Sequence, residues 1–153
     1  MALLLAAAIV AAAGCGAEEP AEAPAACLAP ADAYLAALVT APGDVRLEDG
    51  TPIGDCLVEE QQPGELAQVG ESMIGAATEL NREVRRDFDS QTIAELGYLV
   101  GAVRGAAATT GGIHADLALR IEGAARYAPS EEPFPASFER AFGRGYAAGQ
   151  QNG

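Results

Sequence analysis

Apolar residues recur at helical spacing along most of this chain. The densest run, residues 92–112, carries two different faces at about 100° per residue. Ile93, Leu96, Leu99, Val100, Val103 and Ala107 fall on one side, and Ala94, Gly97, Gly101, Gly105, Ala108 and Gly112 on another. A surface helix needs one apolar stripe, so two predict neighbours on both sides. The small face lets a second backbone come close. This is the expected central helix, capped by Asp89 or Ser90. It should stop or kink at Gly111-Gly112, since two adjacent glycines inside a helix cost about 2 kcal/mol against alanine.

Four further helices are predicted around it. Residues 30–40 place Tyr34, Leu35, Leu38 and Val39 at helical spacing, with Pro30 at the first helical position or Asp32 as cap. Pro63 starts a longer helix with the stripe Leu66, Val69, Met73, Ala76, Ala77, Leu80 and Val84. Its glutamates Glu65 and Glu71 lie early and Arg82, Arg85 and Arg86 late, which complements the helix dipole. Those arginines form a solvated helix end or, as the sharper alternative, a dock for a phosphate or lipid head group. The short connection at residues 87–90 favours antiparallel neighbours. Residues 113–127 give another amphipathic helix through Ile113, Leu117, Ile121, Ala124 or Ala125, and Tyr127.

In residues 135–150, preceded by Phe134, the aromatics Phe134, Phe138, Phe142 and Tyr146 stand four apart. They form either a core ridge or a stripe that contacts a ligand. Gly145 and Gly149 make the same helix a candidate close partner for the Gly97, Gly101, Gly105 face. Residues 45–58 alternate Val45 and Leu47 before an Asp49-Gly50 turn, and Pro52 argues against a regular strand, so a short hairpin or an irregular loop fits. The expected fold is all-α: a four- or five-helix bundle with one short irregular or hairpin segment.

The N-terminus is of a different kind. Residues 2–13 are an apolar run of twelve, shorter than the roughly 18 residues needed to span a bilayer and suited to the core of a signal peptide. The run ends in Ala12, Ala13, Gly14 and Cys15, and here the chain resembles the bacterial lipoprotein signal. That resemblance implies cleavage before Cys15 and lipidation of Cys15 with diacylglycerol and a fatty acyl group such as palmitate. The domain would then be held on the extracytoplasmic face of the cell membrane. Ala12 stands where leucine is usual, and no basic residue precedes the run. An ordinary cleaved signal and a buried apolar helix are the alternatives.

Residues 16–26 hold three glutamates, two prolines and no large apolar side chain, so they cannot recover their ordering entropy by burial. The domain plan is therefore a signal over 1–14, the lipidated cysteine and an acidic tether over 15–26, and a helical domain over 27–153. With Cys15 lipidated in an oxidising compartment, Cys27 and Cys56 remain as a disulfide pair. In a cytoplasmic chain they would be two reduced, buried thiols. Residues 97–127 also resemble a helix-glycine-helix segment that recurs in small secreted proteins of GC-rich bacteria, which implies no activity or ligand.

Composition narrows the partners. The 153 residues carry 22 acidic against nine basic side chains, all arginine, for a net charge of −13. That excludes nucleic acid and an anionic bilayer as electrostatic partners, because both need a basic footprint. The acidic group Glu48, Asp49, Asp55, Glu59 and Glu60 lacks the spacing of a calcium loop, and neither Cys27 nor Cys56 has a second ligand at metal spacing. No metal or cofactor is expected.

His114 is the one histidine. Thr109, Thr110, His114 and Asp116 could be drawn as a catalytic set, but Asp116 lies two residues from His114, on another helix face, and no nucleophile turn exists. A polar first helical turn explains them better. The Gly97-x₃-Gly101-x₃-Gly105 series matches the small-residue pattern of membrane helices, yet Glu95 and Arg104 interrupt it, so close packing in a soluble bundle fits better. Arg104, between the two faces, either reaches outward or pairs with a carboxylate of a neighbouring helix.

The functional expectation is a non-enzymatic module that binds an envelope partner or has a structural role. One alternative binds a small hydrophobic ligand in a groove lined by Phe138, Phe142 and Tyr146, with Arg104 as a further contact. The other is a secreted enzyme using His114, which would require His114 to face a cleft.

Overall fold

The computed structural model describes residues 22–110, 112–126 and 134–153. Residues 1–21, with the signal segment, Cys15 and most of the tether, lie outside the described residues. Among the described residues the chain is all-helical, with α1 at Ala31–Leu38, α2 at Pro63–Arg86, α3 at Ser90–Thr109, α4 at Ala115–Ala125 and α5 at Ala136–Asn152. Short 3₁₀ turns occupy Ala25–Leu28 and Gly54–Cys56.

The start signals act as their chemistry dictates. Pro63 is the first helical residue of α2, where its missing N–H breaks no bond. Asp89 caps α3, its carboxylate accepting from the N–H groups of Gln91 and Thr92. Pro30 flanks α1 from outside and Asp32 lies in its first turn. Residues 45–58 form the irregular segment and not a hairpin. A tight turn at Gly50, with φ of +88°, is closed by Leu47 N–H and the Thr51 carbonyl at 2.9 Å. Val45, Leu47, Ile53, Cys56 and Leu57 all turn into the core from it, so the alternation survives without a ladder.

The α2 stripe is buried from Val69 to Val84, with Leu66 half-buried. Two apolar residues expected in stripes lie outside them. Val39 is 61% exposed because α1 ends at Leu38 and Val39 is its C-cap. Ile113 is 45% exposed because α4 starts only at Ala115, after the Gly112 turn (φ +84°).

Cys27 and Cys56 are joined in a disulfide, with their Cα atoms 5.3 Å apart. The bond closes a sequence separation of 29 residues, worth roughly 3 to 4 kcal/mol on the chain-entropy account. The buried Tyr34 hydroxyl donates to the Cys27 carbonyl at 2.7 Å beside it, and burial raises its pKa. The described residues begin just before this staple. Ala23 is buried and its N–H donates to the Glu65 carboxylate at 3.3 Å.

The bundle is organised around α3. Its Gly97, Gly101 and Gly105 face the backbone of α5 at Phe142, Tyr146 and Gln150. In return Gly145, Gly149 and Gly153 face the backbone of α3 at Ala94, Tyr98 and Ala102. Both series ascend together, so α3 and α5 run parallel. A methyl group at Gly101 or Gly145 would fall on a carbonyl oxygen of the other helix. The small face thus packs within the chain, against the helix that carries the matching glycines. Ala108 is exposed and Gly112 follows the helix, so this contact ends near Gly105.

On its bulky side α3 buries Ile93, Leu96, Leu99, Val100 and Val103 against α2 and α4. Next to the glycine contact, the buried Tyr98 hydroxyl has no hydrogen-bond partner among the described residues. Burial raises its pKa, and the nearby Arg46 partly offsets this.

Candidate functional site

Helices α4 and α5 both lie on α3 but make little contact with each other. The space between them is a trough of about 430 Å³, lined by Val100 of α3, Glu122, Ala125 and Arg126 at the end of α4, and Phe134, Phe138, Glu139, Phe142 and Gly143 on the α5 side. That volume lies within the range of small-molecule sites.

The aromatic ridge builds one wall. Spacing by four residues puts the side chains above one another on a helix, and the rings stack in sequence: Phe134 on Phe138 at 4.3 Å between centroids, Phe138 on Phe142 at 6.1 Å, and Phe142 on Tyr146 at 6.3 Å. Phe88, from the α2–α3 connection, meets Phe138 edge-on at 6.2 Å. Phe138 is buried, while Phe134, Phe142 and Tyr146 are half-buried. The ridge is therefore core at Phe138 and wall on either side of it. Tyr146 lies a turn beyond the trough and does not line it.

Arg104 does not line the trough either. It forms an ion pair with Glu122 across to α4, the carboxylate-pairing alternative for this residue, and Glu122 then lines the trough. The far end of the α4 wall is held from α2. The Asn81 amide donates to the Ala124 carbonyl at 2.8 Å, and Arg85 donates to the Arg126 carbonyl at 3.3 Å. These bonds satisfy carbonyls that the helix end leaves without a partner. In the arginine cluster of α2, Arg82 pairs with Glu79, so two of its three members have work inside the fold.

The near end of α4 rests on His114, which is fully buried. Gln61 donates through Nε2 to the Cys56 carbonyl at 3.1 Å, which leaves its Oε1 to accept from His114 Nε2–H at 3.0 Å. His114 Nδ1 lies 2.8 Å from the Thr110 hydroxyl, which also lies 3.0 Å from the Ala106 carbonyl. Burial lowers the His114 pKa. This corrects the reading of a polar first helical turn: His114 is the N-cap of α4, turned inward to tie the end of α3 to the loop after the disulfide.

Of the residues singled out in the sequence, the structure brings Phe134, Phe138 and Phe142 to the trough and leaves Tyr146, Arg104 and His114 outside it. Glu122, Arg126, Glu139 and Ala125 were not foreseen. Arg126 and Glu139 look from sequence like ordinary exposed charges, and only the separation of α4 from α5 gives them a shared opening. Among the described residues no three histidine, cysteine, aspartate or glutamate side chains gather as a metal site, and no helix is long and apolar enough to cross a membrane.

No known protein family matches this chain, and no curated protein or solved structure matches it.

Proposed function

We propose that the chain is a lipid-anchored extracytoplasmic binding module, and that its trough receives the apolar part of a small amphiphile. The observation that carries this reading is the trough itself: an open, preformed depression walled by stacked phenylalanines, at the level where a bundle otherwise closes its core. It favours ligand binding over a purely structural role, because an apolar depression bordered by large rings marks an interaction site more readily than plain surface does.

The anchor reading adds an orientation. From Cys15 to Glu22 the chain reaches about 25 Å at most. Ala23 docks at Glu65, near the start of α2, whereas the trough is walled near Asn81. At 1.5 Å per residue the two positions are about 24 Å apart along the helix. The tether thus joins the bundle near the Glu65 end of α2, and the trough lies toward the other end.

Two measurements test the two halves. The intact mass of protein extracted from its native membranes should show a chain beginning at Cys15 with diacylglyceryl added, heavier by two hydrogens once reduced. A soluble chain that keeps residues 1–14 would overturn the anchor. Enhanced fluorescence of N-phenylnaphthylamine with the wild type, lost in Phe142→Ala, supports the trough; equal enhancement in both proteins would overturn it.

A further inference from the structure

Among the described residues, three charged side chains line the trough: Glu122, Arg126 and Glu139. They are not equivalent. Glu122 is neutralised by Arg104. Arg126 and Glu139 are exposed; their side chains make no ion pair or hydrogen bond with each other or with the rest of the described chain. One free cation and one free anion among the described residues thus flank the same apolar floor, on opposite walls.

This arrangement selects among amphiphiles. A purely anionic one would approach a protein of net charge −13 against its field and then meet Glu139. A purely cationic one would meet Arg126. An amphiphile with both charges is neutral at long range and complementary at close range. Guanidinium is the side chain best suited to phosphate, through paired N–H donors, and a carboxylate suits an ammonium.

We infer that the trough binds a single-chain zwitterionic lipid, its acyl chain along Phe134, Phe138 and Phe142, its phosphate at Arg126 and its ammonium at Glu139. The chemistry is that of a lysophosphatidylethanolamine. The volume suits one chain. This inference rests on the apolar-ligand reading of the same trough.

The test uses the full chain with Cys15→Ser, so that no covalent lipid competes; every variant then shares the same N-terminal run, and differences between variants report on the trough. Binding of lysophosphatidylethanolamine and lysophosphatidylglycerol is measured by displacement of N-phenylnaphthylamine below the micelle concentration. The expected result is about tenfold tighter binding of the ethanolamine lipid, equivalent to about 1.4 kcal/mol. Arg126→Gln should weaken both lipids. Glu139→Gln should weaken the ethanolamine lipid, strengthen the glycerol lipid and so erase the preference. Both positions are exposed and unpaired among the described residues, so both variants should fold.

Equal affinity for the two lipids, unchanged in Glu139→Gln, would overturn the headgroup assignment while leaving the apolar trough standing. Binding of either lipid that Phe142→Ala does not weaken would overturn the trough as well. Binding to phosphatidylethanolamine vesicles without binding of the free lysolipid would overturn the single-molecule ligand.

Discussion

Helix α5 presents two faces to two different neighbours, and they are built on opposite principles. Toward α3 it offers Gly145 and Gly149, so that backbone meets backbone with no side chain between them. Toward α4 it offers Phe138 and Phe142, with Phe134 just before the helix, large rings that line a trough. The glycine face is rigid because its contact atoms are main chain, which cannot relax by rotating a side chain. The aromatic face consists of side chains that can shift around an occupant. One helix thereby packs tightly on one side and borders a trough on the other.

The largest effect should come from blocking the first face. Gly145→Ala sets a methyl on the Ala94 carbonyl and should cost about 3 kcal/mol or more, seen as a lower urea midpoint. If stability stayed at the wild-type level, α3 and α5 would not be in backbone contact. Next, Phe142→Ala should cost only about 1 to 2 kcal/mol, since this ring is half-buried, while abolishing binding of the apolar dye. A loss as large as that of Gly145→Ala would make the ridge core and remove the contrast.

Gly143→Ala sharpens the comparison within two residues. A methyl there meets nothing within 4 Å, and an exposed helical glycine replaced by alanine should gain up to about 1 kcal/mol. The same substitution at 143 and at 145 is thus expected to have opposite signs, read from the same denaturation curves.

The most local effect belongs to the α4 wall. Burial lowers the His114 pKa, so below about 6.5, the unperturbed value, the unfolded chain binds a proton that the folded chain resists. Stability is therefore fully present above that pH and declines as pH falls toward the folded-state pKa. Hydrogen exchange at pH 5 should show α4 losing protection relative to pH 7 before the α3–α5 pair does. His114→Gln should remove that difference, and uniform loss across all helices would show that His114 does not act at this corner alone.

Much of the helical plan was legible because each helix carries its own signals: Pro63 at the start of α2, Asp89 at the start of α3, and the 3.6-residue stripes that end within the core. The pairing of the two glycine series was legible as well, since small residues four apart on two helices admit close approach. The trough was legible by half. The ridge announced its rings, but whether rings at such spacing fill a core or border a space depends on how far the facing helix stands away, and no local pattern encodes that distance.

What the sequence determined by itself was therefore local and periodic: four or five helices, the cap of α3, the aromatic ridge, the glycine faces, and Cys27 and Cys56 as the candidate pair. Tertiary structure decided the rest. It turned His114 inward onto Gln61 and Thr110, joined Arg104 to Glu122, sent Val39 and Ile113 outward, and brought Arg126 and Glu139 to one opening. The physical reason is that periodicity sets which side of a helix a residue occupies. Its environment depends on neighbours far away in the chain, and here those neighbours were placed by a backbone contact at α3 that holds α5 close and leaves α4 apart.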